Sequence, residues 1–229
     1  MIEVKNINKK YGRKQVLKDL SFTAKKGEIT CLIGINGVGK TTIMKAIMAL
    51  TPINSGEILI DGEKIRKDSF EKITFIPDTL TMLPQMKIGE AFTFMADFYK
   101  SWNAQRAEEL LQFFKLDPTE RIANLSKGNT AKVNMLLGLA LDVDYLLMDE
   151  PFSGIDMFSR EQIAGVFTSH LIEERGVILT THEISDIEHL IDKAVLIDNG
   201  EILKEFSVEE MRENEGKSVV DVMREVYRG

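Results

Sequence analysis

The sequence predicts an α/β fold in which helices cover a parallel β-sheet, with an antiparallel β region and a helical region attached to it. Three observations predict this fold. Apolar strands alternate with helical segments over residues 145–198, short strands bounded by turn signals fill the chain up to about residue 84, and residues 85–140 carry helical apolar spacing. Parallel strands flanked by helices are apolar on both faces, which fits the first pattern.

The first region, up to about residue 84, is rich in predicted strands. Residues 15–24 and 56–60 are apolar and are bounded by glycine-containing turn signals. Between them, an apolar strand runs into a glycine-rich loop that is followed by a predicted helix over 41–50. The helix is expected to end there because Pro52 cannot continue it.

The second region, residues 85–140, is predicted to be helical. Three stripes of apolar residues recur at helical spacing and are expected to face the core. The alternative for the aromatic-rich stretch 92–102 is a surface that contacts a partner. The stripes consist of Phe92, Met95 and Phe98; of Ala107, Leu110, Leu111 and Phe114; and of Val133, Leu136, Leu137 and Ala140.

The third region, residues 141–206, alternates strands with helices and predicts the parallel sheet. Asn199-Gly200 predicts a two-residue hairpin turn into a last strand, and Ser207 with Glu210 resembles a capping box that opens a helical tail over 207–229. Strands are predicted at 145–148, 177–181, 194–198 and 201–206, with helices around 160–175 and 184–191.

Composition excludes several classes of protein. The 229-residue chain has 44% hydrophobic residues and a net charge of −7, so it can form a full core but lacks the basic excess of a nucleic-acid-binding protein. The single cysteine, Cys31, lies in an apolar run, excludes an intrachain disulfide and favours a reducing cytosol. The longest apolar runs fall short of the ~18 residues of a bilayer span, so membrane contact is expected only through another protein.

Residues 34–41 form the strongest motif. They read Gly-Ile-Asn-Gly-Val-Gly-Lys-Thr, which fits the phosphate-binding pattern G-x-x-x-x-G-K-[ST] between a strand and a helix. Glycines let successive backbone N–H groups point into one concavity, to which the helix adds its positive end. Lys40 is predicted to neutralise phosphate oxygens and the Thr41 hydroxyl to bind Mg²⁺. The predicted nucleotide-binding residues here are Gly34, Asn36, Gly37, Val38, Gly39, Lys40, Thr41 and Thr42.

A second motif ends the apolar strand at residues 146–150, which read Leu-Leu-Met-Asp-Glu. Asp149, at the strand end, is predicted to bind Mg²⁺ directly or through water. Glu150, one residue farther, is predicted to be the catalytic base that polarises the attacking water. An acid pair after a strand is commonly a solvated strand end, but the glycine-rich loop favours the catalytic interpretation.

His182 follows the predicted strand 177–181, at the sheet edge where such folds bind ligands. We predict that it is a catalytic residue that donates to the γ-phosphate; the alternative is a structural histidine. His170 and His189 lie in predicted helices and are interpreted as structural.

Three further segments make the chain resemble the ATPases of ABC transporters. Residues 125–129 (Leu-Ser-Lys-Gly-Asn) resemble the LSGGQ signature, residues 153–156 resemble the D-loop, and His182 matches the switch histidine. Tyr11 lies where the family places an aromatic residue that stacks on adenine. The resemblance runs from the first residue to about Phe206.

This resemblance implies the ABC ATPase form of the P-loop NTPase fold. It implies a nucleotide-binding domain over 1–206, in which 1–84 and 141–206 form the α/β core with its β subdomain and 85–140 form a helical subdomain. The remaining residues, 207–229, would be a C-terminal helical tail.

The resemblance also implies a head-to-tail dimer, either of identical or of related chains. The signature of one subunit would close over Mg-ATP held by the other, with ATP and Mg²⁺ as the cofactors. A separately encoded transmembrane permease would hold the subunit at the cytoplasmic face of the cell membrane. The implied residues are Leu125, Ser126, Lys127, Gly128 and Asn129, which bind ATP in trans, and Ser153 and Asp156 of the D-loop.

The chain departs from the family pattern at two places. Lys127 and Asn129 alter the signature, and Asp78 stands where the family usually has a glutamine. This combination resembles ATPases of ABC-2 type exporters, which export drugs, lipids, polysaccharides or peptides; peptides are the preferred cargo here. Asp78 is predicted to reach Mg²⁺ or the attacking water and to link the site to the permease. The alternatives are a turn acid without function and, for the whole chain, a soluble ABC ATPase that acts as an assembly module.

Overall fold

Two β-sheets form the framework of the structure, a computed structural model that describes residues 1–172, 174–182, 184–185 and 187–228. The strands are β1 (Ile2–Tyr11), β2 (Lys14–Ala24), β3 (Ile29–Ile33), β4 (Ser55–Ile60), β5 (Glu63–Lys64), β6 (Ile73–Ile76), β7 (Tyr145–Asp149), β8 (Gly176–Thr181), β9 (Lys193–Asp198) and β10 (Glu201–Ser207). The α-helices are α1 (Lys40–Ile47), α2 (Ile88–Phe98), α3 (Ala104–Phe114), α4 (Lys127–Leu139), α5 (Met157–Phe167), α6 (Val208–Glu215) and α7 (Val219–Arg228).

The smaller sheet is the predicted antiparallel β region. Its strands follow the order β2-β1-β4-β5, and each pair is antiparallel. One face packs with α1 and the larger sheet in a common core that contains Ile2, Val4 and Ile7. The predicted strands 15–24 and 56–60 correspond to β2 and β4.

The larger sheet follows the order β10-β9-β3-β8-β7-β6. Its strand pairs are parallel except for the β9–β10 hairpin, which turns at Asn199-Gly200 as predicted. Every residue of β7 and β8 is buried, as expected for parallel strands covered on both faces. Because β3, β8 and β7 are adjacent, the loops that follow them meet at one edge of the sheet.

The helical region contains α2, α3 and α4. Two of its predicted apolar stripes are buried, including Ala107, Leu110 and Val133 at 0% exposure. The third is only partly correct, because Phe98 is 71% exposed. Phe98 is the last residue of α2 and contacts Phe94 on the outer face, with ring centroids 4.5 Å apart.

Two predicted helices are shorter than their patterns indicate. The helix predicted around 160–175 is α5, which ends at Phe167. Beyond this end, Ser169 Oγ donates a hydrogen bond of 2.7 Å to the Val166 carbonyl, and such a local bond favours a turn. The helix predicted around 184–191 is a single 3-10 turn at Glu188–Leu190 in the part of this segment that the structure describes. Glu173 and Asp186, which fall in these predictions, lie outside the described residues.

The tail consists of α6 and α7. The Ser207 side chain caps α6 by accepting a hydrogen bond from Glu210 N at 3.3 Å. Val219 and Val222 of α7 are at most 1% exposed and join the core beneath the larger sheet. Gly229, the last residue of the predicted tail, lies outside the described residues. Across the residues the structure describes, no helix combines the length and the apolar character needed to cross a bilayer.

Candidate functional site

The glycine-rich loop connects the end of β3 to the first turn of α1. Gly37 and Gly39 have φ angles of 83° and 119°, which favour glycine. A Cβ atom at Gly39 would lie 2.8 Å from a methyl group of Leu17, and one at Gly34 would lie 2.5 Å from the Ile197 carbonyl oxygen. The glycines thus permit both the loop's curvature and its close approach to the strands.

Lys40, the first residue of α1, is 5% exposed. Its Nζ donates to the Gly34 carbonyl at 2.7 Å and lies 3.2 Å from Glu150 Oε1. The cation is therefore held inside the loop, at the end of the helix where anions bind.

The acid pair follows β7. Asp149 is 3% exposed, and its Oδ1 accepts a hydrogen bond of 2.7 Å from Thr180 Oγ1. The Glu150 backbone N–H donates to the same Thr180 oxygen at 2.9 Å. Glu150 has a φ of 48°, so the backbone turns directly after Asp149 and the two carboxylates project differently.

Glu150 and His182 contact each other. Glu150 Oε2 lies 2.8 Å from His182 Nδ1, and the buried Oε1 forms an ion pair with Lys40 Nζ at 3.2 Å. The sequence patterns indicate a role for each residue but do not indicate this contact. The contact arises because β7 and β8 are adjacent in the sheet, and no local sequence pattern indicates that adjacency.

A cleft of about 410 Å³ contains most of the residues predicted to bind nucleotide phosphates. The cleft brings together residues of the glycine-rich loop, of the acid pair and of the D-loop. His182 and Asp78 also line it, and the sequence predicts a role at the nucleotide for all of these groups. Val16, whose carbonyl and side chain approach Gly39, was missed because β2 carries no motif. The cleft is lined by Val16, Asn36, Gly37, Gly39, Lys40, Thr41, Thr42, Asp78, Asp149, Glu150, Ser153 and His182.

Tyr11 lies at the end of β1, beside rather than in this lining. The residue is 49% exposed, and Lys9 Nζ lies 4.6 Å from the centroid of its ring. The Tyr11 hydroxyl is 3.2 Å from Thr51 Oγ1, and this hydrogen bond, together with nearby cations, lowers the pKa of Tyr11. The ring is thus oriented by its neighbours while much of it stays accessible for stacking.

The oxygen donors in the cleft suit Mg²⁺. Thr41 supplies a hydroxyl group and Asp149 and Asp78 supply carboxylates, the hard ligands that this ion prefers. Within the described part of the chain, no group of three or more His, Cys, Asp or Glu side chains could hold a metal ion. A magnesium ion here would therefore take other ligands as well, and Mg²⁺ characteristically uses phosphate oxygens and water.

The signature segment lies at the amino end of α4. Ser126 is the N-cap and accepts a hydrogen bond of 3.1 Å from Asn129 N, while Lys127 is exposed. Lys132, which sequence reasoning missed, is 8% exposed and donates to Asn129 Oδ1 at 3.4 Å. Of the described residues that line the cleft, none comes from 125–129.

Gly128 brings the signature against the D-loop. A Cβ atom there would lie 2.1 Å from Ser159 Oγ and 2.8 Å from Asp156 Oδ2. Asp156 caps α5 by accepting hydrogen bonds from Ser159 N and Oγ, which lower the pKa of its carboxyl group. The amino ends of α4 and α5 are therefore in direct contact.

Comparison with known proteins gives consistent similarities. The profile of the family described as "ABC transporter" matches residues 17–153. The chain is 34% identical over 213 residues to the linearmycin resistance ATP-binding protein LnrL of Bacillus subtilis (strain 168), covering 89% of this chain and 68% of that protein. It is 30% identical over 240 residues to the petrobactin import ATP-binding protein YclP of the same organism, covering 99% and 92%. A solved structure described as an ATP binding subunit of an ABC transporter superposes with a TM-score of 0.88 at 26% identity and 99% coverage of both chains.

Proposed function

The chain belongs to the ABC transporter family and is an ATP-hydrolysing ABC ATPase, and from this premise we propose that it powers export through a separately encoded transmembrane permease. We further propose that two copies of the chain act together on ATP, and the observation that carries this part is the separation of two half-sites in one chain. The cleft holds the phosphate loop and the acid pair, whereas Ser126 and Lys127 of the signature are exposed outside that cleft. An ATPase that works as a two-subunit machine needs this division.

Hydrolysis in this cleft proceeds by attack of water on the γ-phosphorus. Glu150 accepts a proton from the water as the new O–P bond forms and the bond to the leaving ADP oxygen breaks. His182, 2.8 Å from Glu150, orients the carboxylate and donates to the γ-phosphate. Lys40 and the backbone N–H groups of the loop neutralise the phosphates. Mg²⁺, when bound by Thr41 and Asp149, supplies further charge neutralisation.

The signature of one copy completes the site of another copy. Ser126 and Lys127 are exposed at the positive, amino end of α4 and present an anion-binding surface there. Each subunit has one glycine-rich loop and one signature. In a two-fold arrangement, the signature of each subunit therefore completes the nucleotide site of the other. ATP then belongs to the interface, and its hydrolysis removes the ligand that favours the closed dimer.

Export is favoured over import because Asp78 and the signature sequence resemble those of ABC-2 type exporters. Asp78 is exposed and lines the cleft, so a permease that contacts this residue would be linked to the nucleotide site. The names of the two relatives describe different processes: LnrL is named for resistance and YclP for import. Resistance by transport means removal of a toxic compound, which agrees with a cargo of peptides, drugs or lipids. The permease, rather than this chain, selects that cargo.

Membrane fractionation tests the proposed partner. Expressed with a polytopic membrane protein encoded beside its gene, the chain is expected to sediment with membranes at the cytoplasmic face; expressed alone, it should stay in the supernatant. An ATPase that acts as a soluble assembly module would remain in the supernatant in both cases. That result would contradict the transport role and leave the ATPase activity untouched.

Asp78→Ala tests the link between the nucleotide and the permease. In vesicles that contain both proteins, we expect ATP-driven efflux to fall more than ATP hydrolysis does. Asp97→Ala, which removes an exposed carboxylate of α2 outside the cleft, is the matched control. Wild-type hydrolysis together with wild-type efflux in the Asp78 variant would remove this residue from the proposal.

A further inference from the structure

The carboxyl end of α7 reaches the start of the glycine-rich loop. The Tyr227 hydroxyl lies 2.9 Å from the Ile197 carbonyl oxygen and 3.2 Å from that of Ile33, and its proton is shared between them. Ile33 is the last residue of β3 and directly precedes Gly34. One hydroxyl group therefore bridges the ends of two adjacent strands at the point where the loop begins.

The same carbonyl group supports the first residue of the loop. A Cβ atom at Gly34 would lie 2.5 Å from Ile197 O, so Gly34 is packed directly on it. The Gly34 carbonyl in turn accepts the 2.7 Å hydrogen bond from Lys40. Gly34 is thus held between Lys40 on the nucleotide side and the carbonyl that Tyr227 binds on the other.

Helix α7 is firmly anchored at its opposite end. Ser218 Oγ accepts a hydrogen bond of 3.1 Å from Asp221 N, and Asp221 Oδ2 accepts one of 3.1 Å from Ser218 N. Val219 N also donates to Glu188 Oε1 at 3.0 Å. Because this end is capped and Val222 is fully buried, the position of Tyr227 is set by the helix.

The Tyr227 hydroxyl keeps its proton under ordinary conditions. Burial raises the pKa of Tyr227 to about 12, partly offset by the hydrogen bond to Ile197. A protonated hydroxyl can donate to carbonyl oxygens, whereas phenylalanine would fill the same space without donating.

We propose that Tyr227 is a positioning residue for the glycine-rich loop, so that the C-terminal tail sets the affinity of this chain for ATP. Its hydrogen bonds hold the β3 and β9 ends at the spacing that the loop needs to point its N–H groups into the cleft. This gives the tail, which lies outside the predicted phosphate-binding residues, an indirect role in nucleotide binding. The inference rests on the ATPase activity alone and is independent of the permease and of the direction of transport.

Tyr227→Phe tests the proposal, with Tyr99→Phe as the matched control. Tyr99 is 45% exposed at the end of α2, so its variant makes the same chemical change far from the loop. In Tyr227→Phe we expect Mg-ATP to bind roughly two- to tenfold more weakly, the range for loss of one hydrogen bond. The KM for ATP should rise by a similar factor, with kcat closer to wild type.

Hydrogen exchange separates positioning from general stability. Peptides that cover residues 34–40 should exchange faster in Tyr227→Phe without nucleotide, whereas peptides from the antiparallel sheet should exchange as in wild type. Unchanged ATP affinity together with unchanged exchange in the loop would overturn the proposal, even if the variant melts at a lower temperature. Failure of the wild-type chain to bind ATP would instead contradict the ATPase assignment.

Discussion

The glycine-rich loop and the signature segment both place the amino end of a helix where an anion can bind, yet they differ in how far one chain completes them. Lys40 is 5% exposed and contacts Gly34 and Glu150, and the cleft around it already contains the acid pair. The signature instead presents Ser126 and Lys127 to solvent. Burial around the loop makes each charge there more effective, because few waters compete with it. The difference agrees with our proposal that the loop binds nucleotide within one chain, whereas the signature acts on nucleotide held by another copy.

Lys40→Ala should impair the glycine-rich loop most severely, with the largest loss of ATP hydrolysis. Removal of this buried cation leaves the β- and γ-phosphates without their main side-chain partner and Glu150 without a neighbouring charge. We expect ATP hydrolysis to fall by roughly 10²–10³-fold or more, comparable to loss of one preorganised donor in other active sites. Steady-state phosphate release measures the effect. Lys127→Ala is the matched control for the comparison, since its change should be smaller and should depend on protein concentration.

Gly128→Ala should damage the signature half. The added methyl group would meet Ser159 Oγ at 2.1 Å, so α4 and α5 must move apart, at a cost of about 1–3 kcal/mol in the free energy of unfolding. Gly165→Ala in α5 is the control, because among the described residues its Cβ would meet Phe113 alone, at 3.4 Å, and alanine favours a helix. Denaturant unfolding compares the two. Equal stabilities would show that the contact between α4 and α5 tolerates a side chain.

Tyr11→Leu should have the smallest effect. It tests whether Tyr11 contributes to nucleotide binding beside the glycine-rich loop. Loss of one aromatic stacking surface weakens binding by about 1 kcal/mol, or roughly fivefold in Kd for ATP. Tyr11→Phe keeps the ring and loses the hydroxyl contacts with Thr51 and Thr42, so its affinity should stay close to wild type. Titration with a fluorescent ATP analogue distinguishes the two variants. Equal affinities for wild type and Tyr11→Leu would remove Tyr11 from the adenine site.

Much of the fold could be predicted because its signals are local. Strand alternation, the glycine pattern and the hairpin turn at Asn199-Gly200 each lie within a few residues, and the structure has the corresponding elements. Errors arose where apolar spacing was the only signal. Phe98 keeps the helical period but falls at the end of α2, where its ring faces outward.

The contacts within the site were harder to predict because they depend on the order of strands in space. Lys40, Glu150 and His182 follow β3, β7 and β8, which become neighbours only in the folded sheet. The approach of Tyr227 to Ile33 joins residues 194 positions apart in the chain. A single sequence offers no signal for such a pair.

Dimer formation by Glu150→Gln tests the central claim most directly. The amide keeps the size of the carboxylate but cannot accept the proton, so hydrolysis should fall by about 10²–10⁴-fold while Mg-ATP stays bound. Sedimentation velocity in saturating Mg-ATP should then show a dimer, and the same protein in ADP should be a monomer. A variant that binds Mg-ATP yet stays monomeric would contradict the claim that the signature of one copy completes the cleft of another.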